Sequence, residues 1–141
     1  MFRDFKVFNI GHLIDAQAFK QYLRISNSKI KTKDMTTLEN EYLKVAVRPK
    51  GAEMVSLFDK ESNTEHLWQA DADVWGWHAP NLFPIVGGCI NDQIIVEGVT
   101  YPMNRHGFAR HSDFVLSEYS DIHAKFSLTD SLKTKESYPY K

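Results

Sequence analysis

Short apolar runs with a period of two, each cut off by turn residues, constrain this chain more than any other feature. Leu43, Val45 and Val47 alternate with Lys44, Ala46 and Arg48, the pattern of a strand with one buried face. Pro49-Lys50-Gly51 then turns the chain. Glu53 to Phe58 predicts a second strand, Asp59 to Asn63 a polar turn, and Thr64 to Trp68 the return strand of a hairpin. Gln93 to Val96 and Val99 to Met103 flank Glu97-Gly98 as another hairpin. Asp113 to Tyr119 and Lys125 to Leu128 predict two more strands around a turn at Ser120-Asp121. Roughly six or seven short strands at such close spacing predict an all-β sandwich or barrel.

Between the hairpins lies an aromatic, irregular stretch, Asp71 to Pro84. Pro80 and Pro84 exclude a continuous helix or a central strand there, so the segment reads as a packed loop. Its Trp75 and Trp77 either plug the open end of the sandwich, the usual use of large aromatics, or line a ligand pocket. Gly87-Gly88 has no GxGxxG context and no following Lys-Ser/Thr, so close packing or a sharp bend explains it better than nucleotide binding. Residues 1 to 34 have a different texture. Ile14, Ala18, Tyr22 and Ile25 predict an amphipathic helix over 13 to 25, and Lys29 to Asp34 reads as a polar linker. The tail from Thr129 is polar, and Tyr138-Pro139-Tyr140 begins an extended segment.

A length of 141 residues suits one domain. Hydrophobic residues at 43% and charged residues at 25% give the balance of an ordinary soluble domain. A formal net charge of −1 gives no electrostatic basis for a nucleic-acid or membrane partner. The single cysteine, Cys89, excludes an intramolecular disulfide and fits the reducing cytoplasm; Ile85, Val86 and Ile90 around it predict a buried, inert thiol. No apolar run approaches membrane-spanning length, and the first residues do not read as a signal peptide.

One stretch concentrates chemistry: Asn104-Arg105-His106-Gly107-Phe108-Ala109-Arg110. A histidine can exchange a proton near neutrality, and a guanidinium offers a rigid fork of donors to a polyhydroxy ligand. The competing reading is a capped loop with solvated arginines. His106 and His111 are five apart, so at most one is expected to face a common site. None of the histidines has zinc spacing, so no metal site is predicted. Glu53, Asp92 and Asp113 are candidate general bases, and nothing in the sequence ranks them. The residues alone do not separate an enzyme from a carbohydrate-binding module.

The run Trp77-His78-Ala79-Pro80-Asn81-Leu82-Phe83-Pro84-Ile85-Val86-Gly87-Gly88, followed by Tyr101-Pro102-Met103, His106-Gly107-Phe108-Ala109-Arg110 and Phe114, resembles the galactose mutarotase (aldose 1-epimerase) superfamily, in its LacX-like branch. The segment from Met35 resembles the usual beginning of such a protein, which makes residues 1–34 a leader or extension and 35–141 the N-terminal portion of the fold. The resemblance implies a large antiparallel β-sandwich with a sugar held in a shallow groove. It implies interconversion of the α and β anomers of an aldose by a general base and a general acid, without metal or organic cofactor. It places His106 at the first active-site histidine, near the sugar ring oxygen, and Arg110 against substrate hydroxyls or an appended phosphate; Trp75 and Trp77 are expected to flank that site, with Trp77 as a binding residue. An Asn-Arg pair of the galactose branch has Gly87-Gly88 at its place here, which opens the choice of sugar to a hexose phosphate.

The family's second histidine and its glutamate base are expected beyond the matching span, so the chain resembles the N-terminal half of a mutarotase, weak or inactive as written. Two other outcomes stay open: a non-catalytic carbohydrate-binding module, and the product of a disrupted reading frame. Uncovered sheet edges in an incomplete sandwich predict self-association.

Overall fold

The structure, a computed structural model, describes residues 6–9 and 35–140. Nine strands and one short helix occur among them. Strands β2 (Thr36–Glu39), β3 (Leu43–Arg48), β4 (Glu53–Asp59) and β5 (Thr64–Glu65) form one sheet in that order. Strands β8 (Val115–Ser120) and β9 (His123–Ser127) form a second sheet, in which β9 is also paired with β1 (Lys6–Asn9). A separate hairpin joins β6 (Gln93–Val96) to β7 (Val99–Pro102). All of these strand pairs are antiparallel, so the expected all-β, antiparallel class holds. The helix α1 spans Leu132–Lys135.

Alternation explains the core. In β3, Val45 and Val47 are buried while Lys44 faces water and Ala46 is only partly buried; in β9, Ala124 and Phe126 are buried between His123, Lys125 and Ser127. Together with Leu38 of β2, Leu116 of β8, Phe114 and Leu128 they form one cluster, so the two sheets share a core. Burying a side chain such as Phe126 completely is worth about 1.5–3 kcal/mol. The sheets are also tied at one end: Glu39 N–H donates to the Asp121 carbonyl at 2.6 Å, and Tyr119 Oη to the Thr37 carbonyl at 3.0 Å. The β6–β7 turn has Glu97 at φ 52° and Gly98 at φ 80°, the positive pair that matches the twist of a two-residue hairpin.

Several expectations change. A strand, β2, precedes the first predicted one; Thr-Thr-Leu-Glu carries only one apolar residue and gives a weak signal. The strand expected over Thr64 to Trp68 ends at Glu65, whose carboxylate accepts the Leu57 and Leu67 N–H groups at 2.8 and 2.9 Å and so takes the place of ladder bonds. The polar tail holds α1, capped by Ser131, whose side chain and backbone exchange hydrogen bonds with Thr134. Trp75 does not plug the core: it is 47% exposed, and its carbonyl accepts the Trp68 indole N–H at 2.7 Å. Cys89 is only partly buried. The helix predicted over 13 to 25 and the linker over 29 to 34 lie outside the described residues. Among the described residues, no helix is long and apolar enough to cross a membrane.

Candidate functional site

The hub that positions the site is the turn between β3 and β4. Gly51 N–H donates to the Ser112 carbonyl at 2.8 Å, and Phe114 N–H to the Pro49 carbonyl at 3.1 Å, which docks the turn against residues 109–114. Asn81 reaches the same turn from the aromatic loop, its Nδ2 donating to the carbonyls of Gly51 and Ala52. The His-Arg segment and the aromatic loop are therefore held to one another by backbone as well as by side chains.

Inside the segment, Gly107 N–H closes a turn on the Asn104 carbonyl at 2.8 Å. His106 and Gly107 both have positive φ, 69° and 70°. The Phe83 carbonyl accepts two donors, Phe108 N–H at 2.8 Å and Ala109 N–H at 3.2 Å. Such an approach needs glycine at 107: a Cβ there would lie 2.1 Å from the Phe83 oxygen.

His106 and Gly87 exchange two bonds. His106 N–H donates to the Gly87 carbonyl at 2.7 Å, and Gly87 N–H donates to His106 Nδ1 at 2.9 Å. An Nδ1 that accepts a hydrogen bond carries no proton. In the neutral ring the proton then sits on Nε2, which makes His106 a hydrogen-bond donor to whatever faces that nitrogen.

Trp77 organises the rest. The Arg110 guanidinium lies over its ring at 5.2 Å and the Arg48 guanidinium at 5.5 Å, both within cation–π range. His111 meets the same ring edge-on, with centroids 5.4 Å apart. Arg110 Nε donates to His111 Nε2 at 3.1 Å, and its Nη2 to the Arg105 carbonyl at 3.1 Å. Partial burial, then the charges of Arg110 and Lys50, hold the His111 pKa below its ordinary 6.5. A neutral His111 can accept from Arg110; a protonated one would repel it.

The predicted residues thus divide. Trp77 and Arg110 come together. His106 takes Gly87 as its partner instead, and Arg110 reaches only the peptide just before it. The two histidines face different partners, as their spacing implied, with His111 joining Trp77. Of the candidate bases, Glu53 is fully buried and committed: it pairs with Arg48 and accepts His78 N–H at 2.8 Å and Ala79 N–H at 3.2 Å. Asp113 is 86% exposed, 3.9 Å from Lys50. Asp92 is exposed in a turn, where its carbonyl accepts Met103 N–H at 2.7 Å. Arg48, Glu53 and His111 were not singled out as binding residues; the available signal was the Arg and Glu that flank one tight turn. A separate cleft of about 670 Å³ has Gly107 and His111 in its wall but not Trp77, His106 or Arg110. Among the described residues, no three His, Cys, Asp or Glu side chains gather as a metal centre requires.

Comparison with known proteins agrees over the segments that build this cluster. A family model described as aldose 1-epimerase matches residues 34–141. The plasmid-borne protein LacX of Lactococcus lactis subsp. lactis is 37% identical over 108 residues, covering 73% of this chain and 36% of the relative. Two solved structures share the fold at a TM-score of 0.74 and 39% identity: a galactose mutarotase related enzyme from Lactobacillus acidophilus and a galactose mutarotase-like protein from Lactobacillus casei. Each match covers 76% of this chain and 36% of the solved one. The chain therefore spans a little over a third of the length of these relatives, where the resemblance implied about half.

Proposed function

This chain belongs to the aldose 1-epimerase family, and from that membership we propose that residues 35–141 carry a sugar-binding face for interconverting the α and β anomers of an aldose or aldose phosphate. The observation that carries the reading is Trp77 lying under the Arg110 and Arg48 guanidiniums. An aromatic face suits the C–H side of a pyranose, and guanidinium donors suit hydroxyl or phosphate oxygens. Both features occupy the span that the family model matches.

In this reading His106 binds and polarises. Its Nε2–H donates to the sugar ring oxygen and favours opening of the ring. It is not the base, because Nδ1 is occupied by Gly87 N–H and the other nitrogen already holds a proton. The carboxylate beside Trp77 is not the base either, since Arg48 and the aromatic loop engage Glu53. The proton transfers themselves require no cofactor. A proton-transfer group contributes on the order of 10²–10⁴-fold in rate, and neither His106 nor Glu53 is placed to supply one, so residues 35–141 are expected to bind sugar and to turn it over weakly. We place it in the cytoplasm, where the free Cys89 would stay reduced. We expect it to self-associate through the outer strands β2 and β5.

Polarimetry of freshly dissolved α-glucose and α-galactose tests the reading. The expected rate with protein is close to that of buffer. A fast mutarotation that disappears in His106→Ala would overturn the assignment of His106 as a binding residue without a base.

A further inference from the structure

We propose that Glu53 is the positioning residue of the Trp77 platform, acting through Arg48 and through the backbone of the aromatic loop. Its consequence for sugar binding rests on the reading above; its structural content does not. Carboxylates are almost never fully buried unless paired, and Glu53 is 0% exposed. Its two oxygens divide the work. Oε2 pairs with the Arg48 guanidinium across the β3–β4 turn, where Arg48 and Glu53 are register partners. Oε1 accepts the N–H groups of His78 and Ala79, the two residues that follow Trp77.

One carboxylate thereby fixes both the backbone next to Trp77 and a cation over its ring. The Arg48 anchor is a narrow one. Its buried Nε has no hydrogen-bond partner, so the guanidinium is held by the Nη2 bond to Glu53 and by the ring itself. Arg110 approaches the same ring from a different segment, held by His111 and the Arg105 carbonyl, and does not depend on Glu53. An apolar side chain at 53 could fill the same space and support the core. It could not hold Arg48 or accept the loop donors. The carboxylate therefore supplies orientation to a flat aromatic surface rather than core stability.

Trp68, Trp75 and Trp77 are the only tryptophans in the sequence, so the full chain with Trp68→Phe and Trp75→Phe reports Trp77 alone. In that background, acrylamide quenching measures access to the ring without any sugar. Losing one cation–π contact at a half-buried site changes the stacked population by roughly 2–5-fold, and Glu53→Gln should raise quenching by a factor in that range. Arg48→Lys keeps the Glu53 bonds to His78 and Ala79 but loses the planar stack, and should raise it similarly. The double variant should exceed Glu53→Gln by no more than a small margin, because the Arg48 arm runs through Glu53. Quenching unchanged in either variant, or effects that simply multiply, overturns the proposal. If Glu53→Gln does not fold, Arg48→Lys decides by the same criterion. A galactose titration is then run on each protein. Affinity that falls in parallel with the quenching change supports the positioning role; unchanged affinity with raised quenching overturns it. A parent protein with no sugar response would refute the sugar-site reading and leave the quenching comparison to judge Glu53 alone.

Discussion

Gly107→Ala should be the most damaging methyl addition in the candidate site. A Cβ at 107 would lie 2.1 Å from the Phe83 carbonyl oxygen, 2.4 Å from the Phe83 carbonyl carbon and 2.6 Å from Pro84 Cδ. These are backbone and ring atoms, and no rotamer change moves them aside. Overpacking of this kind costs about 1–3 kcal/mol. Holding a non-glycine residue at φ 70° adds about 1–2 kcal/mol. Backing the segment away from Phe83 would weaken the Phe108 and Ala109 bonds to its carbonyl, each worth about 0.5–1.5 kcal/mol. The sum, about 3–8 kcal/mol, is comparable with the whole stability of a small domain. Gly98→Ala is the internal control: φ is 80° there, yet nothing lies within 4 Å of the added Cβ. Only the conformational cost remains, about 1 kcal/mol. Urea unfolding followed by circular dichroism reads both variants against the parent chain. A Gly107→Ala protein within about 1 kcal/mol of Gly98→Ala would refute the tight docking of residues 104–110 on Phe83.

Other predictions concern single groups. His111 titrates below its ordinary 6.5, from partial burial first and then from the charges of Arg110 and Lys50. The unfolded chain therefore binds this proton first: its contribution to stability is complete above about pH 6.5 and is lost as pH falls through the lower folded value. His111→Gln should flatten that part of the curve, and identical pH slopes in the two proteins would contradict the assignment. Glu65 is pushed up by burial, but bonds from Ser56 Oγ and the Leu67, Leu57 and His66 N–H groups outweigh that and hold it below its ordinary 4.5. Glu65→Ala leaves the Ser56, Leu57 and Leu67 donors unmatched and should cost about 1–3 kcal/mol; an unchanged urea midpoint would show that water replaces the carboxylate freely. Ser131→Ala removes the N-cap of α1 and should cost about 1 kcal/mol, seen as faster amide exchange at Thr134, whose N–H it now binds at 3.2 Å.

What could be read from the sequence was local. Val45 and Val47 announce β3 by alternation, and Glu97-Gly98 announces the β6–β7 hairpin by its turn chemistry. What could not be read depended on partners far along the chain. The state of the His106 ring is set by Gly87, 19 residues earlier, and the Trp77 platform needs Glu53, more than 20 residues before it. The expectation that Trp75 fills the core failed because exposure is decided by the loop path, which composition does not encode. Glu53, Asp92 and Asp113 looked equivalent as candidate bases; their burial and bonding separate them.

The central claim is that the proposed sugar-binding face is built on Trp77 and Arg110, with His106, held by Gly87, as a separate contact. The direct measurement is a galactose and glucose titration of the Trp68→Phe, Trp75→Phe protein, watching Trp77 emission. A saturable change that is lost in Arg110→Ala and weakened in His106→Ala is the predicted result. A flat emission curve, or a saturable one indifferent to both substitutions, would contradict the claim.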